Sequence, residues 1–170
     1  MSKDKVSHIQ EQWNAERPDI DSSPVGVVGR VHRLGNYLRR EILAVYREHG
    51  LGEGEFDILA TLRRRGAPFT MLPTDLGRQT MVTSGGISKQ LDRLEASGLV
   101  ERSVSSDDAR KRLVTLTAKG KSVIDAAYTE HMENEARLLT DLDPADREAL
   151  EGILGRWLAA VEAANEPPGE

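Results

Sequence analysis

Residues 72–120 read LPTDLGRQTMVTSGGISKQLDRLEASGLVERSVSSDDARKRLVTLTAKG, and the change of hydrophobic period along this stretch decides the fold. Two short helical patterns joined by a polar turn give way to an alternating pattern with a basic return, the order of a helix-turn-helix followed by a wing. Pro73, whose fixed φ suits a first helical position, opens a helix running to about Gln79 with Leu76 as its buried anchor. Thr80, Met81 and Val82 form the turn. Thr83 is the expected N-cap of a second helix from Ser84 to Ala96, in which Ile87, Leu91 and Leu94 recur at i, i+4 and i+7 before Gly98 ends it. Its opposite face carries Ser84, Gly85, Ser88, Lys89, Asp92 and Arg93. These small, polar or basic residues, with Thr83, suit base-pair edges and phosphates. Solvated charge is the plainer alternative for Lys89 and Arg93.

Beyond Gly98 the period becomes that of a strand. Leu99, Val100, Arg102 and Val104 form the outward strand and Leu113 to Leu116 its return. The tip between them holds the turn formers Ser103, Ser105, Ser106, Asp107 and Asp108, and Arg110, Lys111 and Arg112 place three cations where the return strand begins. A charged hairpin beside such a helix can reach a neighbouring groove.

These residues resemble the MarR family of bacterial winged-helix regulators. The resemblance is carried by Pro73-Thr74-Asp75-Leu76, Ser84 to Lys89, Asp92-Arg93-Leu94-Glu95, Gly98 to Arg102, Asp108-Ala109-Arg110 and Leu116 to Gly120. It covers about fifty residues directly, and helix order extends it to nearly the whole chain from about Ser23. It implies that the helix after the turn enters the major groove of double-stranded operator DNA. It further implies that a wing-tip arginine, held by a nearby aspartate, enters the minor groove, and Arg110 and Asp108 stand at those places. Two departures are visible: Leu72 replaces a usual hydroxyl N-cap, and Ala109 replaces a frequent second wing arginine.

The fold class expected is mainly α (α+β), a winged helix-turn-helix domain with a helical dimerisation region built from both chain ends. The boundaries expected are an N-terminal helical extension over 1–22, a dimerisation helix over 23–50 and a DNA-binding region over 51–120. C-terminal dimerisation helices over 121–165 and a frayed tail over 166–170 complete the chain. From Pro24, with Ser22 or Ser23 as cap, Val27, Val31, Leu34, Leu38, Ile42 and Val45 keep one helical stripe. Phe56, Leu59 and Leu62 mark a shorter helix closed off by Gly66 and Pro68. Thr117 caps a long helix through Leu139. Asp143, Pro144 and Asp146 open the last one, striped by Leu150, Ile153, Leu154, Trp157, Leu158 and Val161. The resemblance implies that the terminal helices interlock in a homodimer. Symmetry then sets two half-sites roughly 34 Å apart in an imperfect palindrome.

Ahead of this frame, Val6, Ile9 and Trp13 share one helical face and lead into Arg17-Pro18-Asp19-Ile20-Asp21. With Ser23-Pro24 and Gly26 to Arg30, this extension resembles the branch of the family that includes urate-responsive repressors. That resemblance implies ligand sensing by Trp13, Asp57 and Arg102, with Gln90 standing where the branch carries an arginine. Chemically, Trp13 offers a stacking face, Arg102 a fork for an anionic or carbonyl edge, and Asp57 an acceptor. The expected effector is a small, flat or carboxylate-bearing organic molecule. Duller roles are a staple for Trp13, an ion pair or phosphate contact for Arg102 and a first-turn charge for Asp57.

Composition bounds the remaining classes. The chain has 170 residues and no cysteine, enough for a real core and without a disulfide or thiolate metal site. The formal charge of -5 divides unevenly: residues 71–120 hold 8 Lys and Arg against 6 Asp and Glu, a net +2, and the remainder 15 against 22, a net -7. No signal-peptide core or membrane-length apolar run is present, so a cytoplasmic protein without membrane contact is expected. His8, His32, His49 and His131 are scattered, which argues against a metal site, and Gly85-Gly86 is too short for a phosphate loop. No cofactor and no catalytic residue are expected. An acid–base enzyme using Asp57 and His32 is the weakest alternative, and an architectural DNA-binding protein without effector is the stronger one.

Overall fold

The computed structural model describes residues 3–80, 86–105, 108 and 110–165. Thr83, Ser84, Gly85, Ser106, Asp107, Ala109 and the tail lie outside the described residues. The chain forms two compact units, Met1–His131 and Met132–Glu170. Most residues are helical, and a small antiparallel sheet accompanies seven helices among the described residues.

The first unit opens with α1 (Lys5–Glu16), α2 (Ser23–Glu48) and α3 (Glu53–Arg64). It continues with β1 (Thr70–Met71), α4 (Pro73–Gln79), α5 (Ile87–Ala96), β2 (Val100–Val104) and β3 (Arg112–Leu116). Its core gathers Leu59 and Leu62 of α3, Leu76 of α4, Leu91 and Leu94 of α5 and Val114 of β3, all nearly or wholly excluded from solvent. Burying side chains of this size is worth ~1.5–3 kcal/mol each and fixes the helix-turn-helix against the sheet. The sheet order is β1-β3-β2, with Arg102 opposite Val114 and Val104 opposite Arg112. α6 (Ala118–Leu138) starts where the Thr117 hydroxyl accepts from the Gly120 amide at 2.9 Å, the cap expected from sequence.

α4 has the expected bounds and anchor. Two expectations are corrected. α5 begins at Ile87 and not at Ser84, because Gly86 sits at φ 117° and ψ -4°, a left-handed conformation that no helical residue adopts. Ser22 precedes α2 but gives no side-chain cap; its hydroxyl donates to Asn14 at 2.5 Å, and Asp21 accepts the Ser23 amide at 2.9 Å instead. The α1 stripe is only partly buried, with Val6 inside and Trp13 53% exposed. α1 is tied to α2 at its start, where Asp4 accepts from the Ser7 amide and from Arg30 of α2 at 2.7 Å. Those bonds, the Ser7 amide first, lower the Asp4 pKa to about 2.

The second unit holds the end of α6 and α7 (Pro144–Asn165). Asp143 caps α7 as expected, accepting the Asp146 amide at 2.8 Å. None of the side chains of α7 is buried, and Ile153 and Leu158 are 53% and 57% exposed.

Candidate nucleic-acid interface and effector site

Packing of Ile87, Leu91 and Leu94 into the core turns Ser88, Lys89, Asp92 and Arg93 outward. Ser88 and Lys89 are exposed. Arg93 is also exposed, and its guanidinium stands 3.8 Å from Glu55 of α3, so it is partly committed within the fold. Beside α5 the hairpin carries its cations outward: Arg110, Lys111 and Arg112 are all exposed. Asp108 acts on the backbone of Arg110. Its carboxylate accepts the Arg110 amide at 3.0 Å, while its carbonyl accepts the Lys111 amide at 2.9 Å. This tight turn sets where the Arg110 side chain departs.

The four candidate effector residues occupy three places. Gln90 lies on the flank of α5 that meets α3, its amide seated against Gly54, where a Cβ would overlap it. Its Oε1 is buried and has no hydrogen-bond partner among the described residues. Asp57, whose side chain is only 12% exposed, stands one turn beyond Gly54 on the same side of α3. Arg102 lies on the other flank of α5, bonded to Asp92 at 2.7 Å and near Glu95 at 3.5 Å. Trp13 lines a separate recess of about 270 Å³ with Arg17, Ile20 and Val25. The structure therefore sets Gln90 against α3 at Gly54, one turn from Asp57, and keeps Arg102 and Trp13 apart from both.

Arg102 also lines a cleft of about 660 Å³ between α4, α5 and the wing, with Thr74, Arg78, Ser88 and Arg112. Sequence reasoning missed Arg78 as a cleft residue. The available signal was its position on the outward side of α4, but only docking of the hairpin brings it to Arg102 and Arg112. The aspartate and histidine of the acid–base alternative have other settings: Asp57 is buried, whereas His32 is exposed and lies 3.3 Å from Asn36. Among the described residues no cluster of acidic and histidine side chains could hold a metal ion, and no helix is long and apolar enough to cross a membrane.

A helix-turn-helix whose second helix is outward-facing, with a cationic two-stranded wing beside it, is the architecture of a winged-helix DNA-binding protein. The sequence profile of the MarR family matches residues 49–111. The transcriptional regulator PecS of Dickeya dadantii is 37% identical over 152 residues, covering 89% of this chain and 92% of that one. The chain belongs to the MarR family of transcriptional regulators. Among solved structures, a mutant MarR from E. coli complexed with operator DNA shares the fold with TM-score 0.67 and 23% identity, covering 86% of this chain and 97% of that one. BpsR of Bordetella bronchiseptica, whose DNA binding is regulated by 6-hydroxynicotinic acid, gives TM-score 0.62 and 24% identity over 75% of this chain and 91% of that one.

Proposed function

We propose that this protein is an effector-responsive repressor that binds a pseudo-palindromic operator as a homodimer. The α5 face of Ser88, Lys89 and Arg93, together with Thr83, Ser84 and Gly85 ahead of it, would enter the major groove. Arg110 would enter the minor groove, with Lys111 and Arg112 on the flanking phosphates. The observation that carries this reading is the placement of an exposed Lys89 and an exposed Arg110 on adjacent projecting elements of one rigid core. Two apolar faces support the dimer: Val27, Val31 and Leu34 on α2, and the stripe of α7, are solvent-exposed in the single chain.

The effector is assigned first to the α3–α5 seam, where the Gln90 amide oxygen lacks a partner and Asp57 offers a carboxylate. A hydroxylated or amide-bearing flat ring would supply the donors that both oxygens accept. Arg102, with Arg78 and Arg112, offers a second place for a carboxylate, and Trp13 a stacking face. BpsR, which shares the fold, is regulated by a molecule of this kind.

The test starts from duplexes that the full-length protein selects from a random pool at one stated salt concentration. Selection of a palindromic sequence with two half-sites supports the operator reading; binding without sequence preference would leave an architectural protein. Arg110→Ala should reduce operator affinity by about tenfold or more with the oligomeric state unchanged, and undiminished affinity removes the wing from the interface. A panel of aromatic carboxylates and hydroxylated heteroaromatics is then screened for thermal shift and DNA release. Among the Trp13→Ala, Gln90→Ala and Arg102→Ala variants, the one that loses the response while keeping DNA affinity locates the site.

A further inference from the structure

The last turn of α3 carries Arg63 and Arg64, with Arg65 at the cap beyond it, and the first two are engaged differently. Arg63 serves packing: it lies 2.6 Å from Asp125 of α6 and over the Phe69 ring. Arg64 instead reaches across to the DNA-reading unit. Its Nη2 donates to the Gln79 carbonyl at 2.5 Å, the last residue of α4. Its Nη1 stands 3.9 Å from the Asp57 carboxylate, two turns back on α3. One guanidinium thus lies between a buried acid and the end of the helix that feeds the turn into α5.

The chemistry of both ends favours a cation here. The carbonyls of a helix C-terminus lack intrahelical donors and carry the negative end of the dipole, so an arginine satisfies both at once. At 3.9 Å the Asp57 contact is an ion pair and not a hydrogen bond. Because Asp57 is largely shielded from water, its field is screened less than that of a surface pair, although the half-exposed Arg64 tempers this. The guanidinium is planar and rigid, so its two edges do not move independently. A change in the charge or position of the Asp57 carboxylate is therefore felt at the Nη2 bond to Gln79.

We infer that Arg64 is a positioning residue that couples Asp57 to the turn between α4 and α5. When donor groups of an effector recruit the Asp57 carboxylate, the end of α4 loses its anchor and α5 its DNA-competent placement. The effector half of this inference rests on the proposed role of Asp57; the coupling itself rests on the two contacts of Arg64. By linkage, DNA binding would weaken effector binding by the same factor.

A double-mutant cycle in the full-length protein tests the coupling without any effector. Asp57→Asn, Arg64→Gln and the double variant are compared for affinity to the selected duplex. Each single change should weaken binding by about fivefold or more, and the double variant should stay within about twofold of the weaker single. Multiplying losses, or an unchanged affinity in Arg64→Gln, would overturn the inference. Hydrogen exchange supplies a readout that general destabilisation does not reproduce: amides at the end of α4 should exchange faster in all three variants to the same extent, with β2 and β3 unaffected. Uniformly faster exchange, or no change at α4, counts against the coupling. A non-additive cycle in a protein that answers to none of the screened molecules sinks the effector reading alone. An additive cycle in a protein whose response depends on Asp57 sinks the coupling alone.

Discussion

Gln90 occupies space that Gly54 leaves open, and this single contact sets what the α3–α5 seam can offer a ligand. A methyl group at position 54 would displace the amide, but the amide is the far end of a flexible side chain. Moving it off its rotamer costs ~0.5–1.5 kcal/mol, while replacing glycine by alanine in a helix returns ~0.5–1 kcal/mol. The two nearly cancel. Gly54→Ala should therefore shift the thermal midpoint by less than about 4 °C and, with the effector seated at the proposed α3–α5 seam, still abolish the response, as Gln90→Ala should. A large loss of stability would mean that the amide is locked in place, and a normal response would remove Gln90 from the site. At the wing tip, the resemblance led to an aspartate holding an arginine; the structure places that hold on the Arg110 amide through Asp108. Sequence names the pair but not the atom, because the turn that aligns them depends on both strands.

At the scale of elements, legibility followed whether a signal was local. Proline at a first helical position and one buried leucine suffice for α4, and hydroxyl and carboxylate caps placed the starts of α6 and α7. β1 left no trace, since two residues show no alternation and exist as a strand only by pairing Thr70 with Thr115 and Met71 with Val114. The start of α5 differs from the expected one because a hydroxyl before a periodic run is a local signal, whereas the left-handed conformation of Gly86 leaves none in the sequence. Sequence offers Arg102 both as a fork for a ligand and as an ion-pair partner, and docking of the hairpin sets it against Asp92 and Glu95. The exposed stripe of α7 leads to a prediction of its own. An apolar side chain of this size contributes ~1.5–3 kcal/mol on burial, and a twofold interface counts it twice. Leu158→Glu should then weaken self-association by about 3–6 kcal/mol and abolish operator binding with the helix content retained. Sedimentation at micromolar concentration measures it; an undisturbed dimer takes α7 out of the interface.

For the molecule as a whole, the decisive feature is that its charge is divided. Residues 71–120 carry a net +2 on a chain whose total is -5, so the reading face is attracted to a polyanion that the remainder repels. Such a distribution orients the encounter and makes affinity steeply dependent on salt, because each phosphate neutralised releases condensed counterion. The cations on that face are not equivalent. Arg93 is already shared with Glu55 at 3.8 Å and Arg102 is held by Asp92, whereas Lys89 is exposed on the outward side of α5. On the proposed reading, with Lys89 against a phosphate in each half of a two-subunit complex, the slope of log K against log salt should become shallower by about 1.8 in Lys89→Ala. Arg93→Ala should change it by clearly less, since removing a shared cation also frees the carboxylate that shared it. Measuring both slopes on the same duplex between 50 and 200 mM salt, the range in which about 10³–10⁵ in affinity is lost when many phosphates are engaged, separates the two residues. Equal slopes for both variants would show that Glu55 does not restrain Arg93 in the complex, and an unaltered slope for Lys89→Ala would place this face of α5 away from the phosphates.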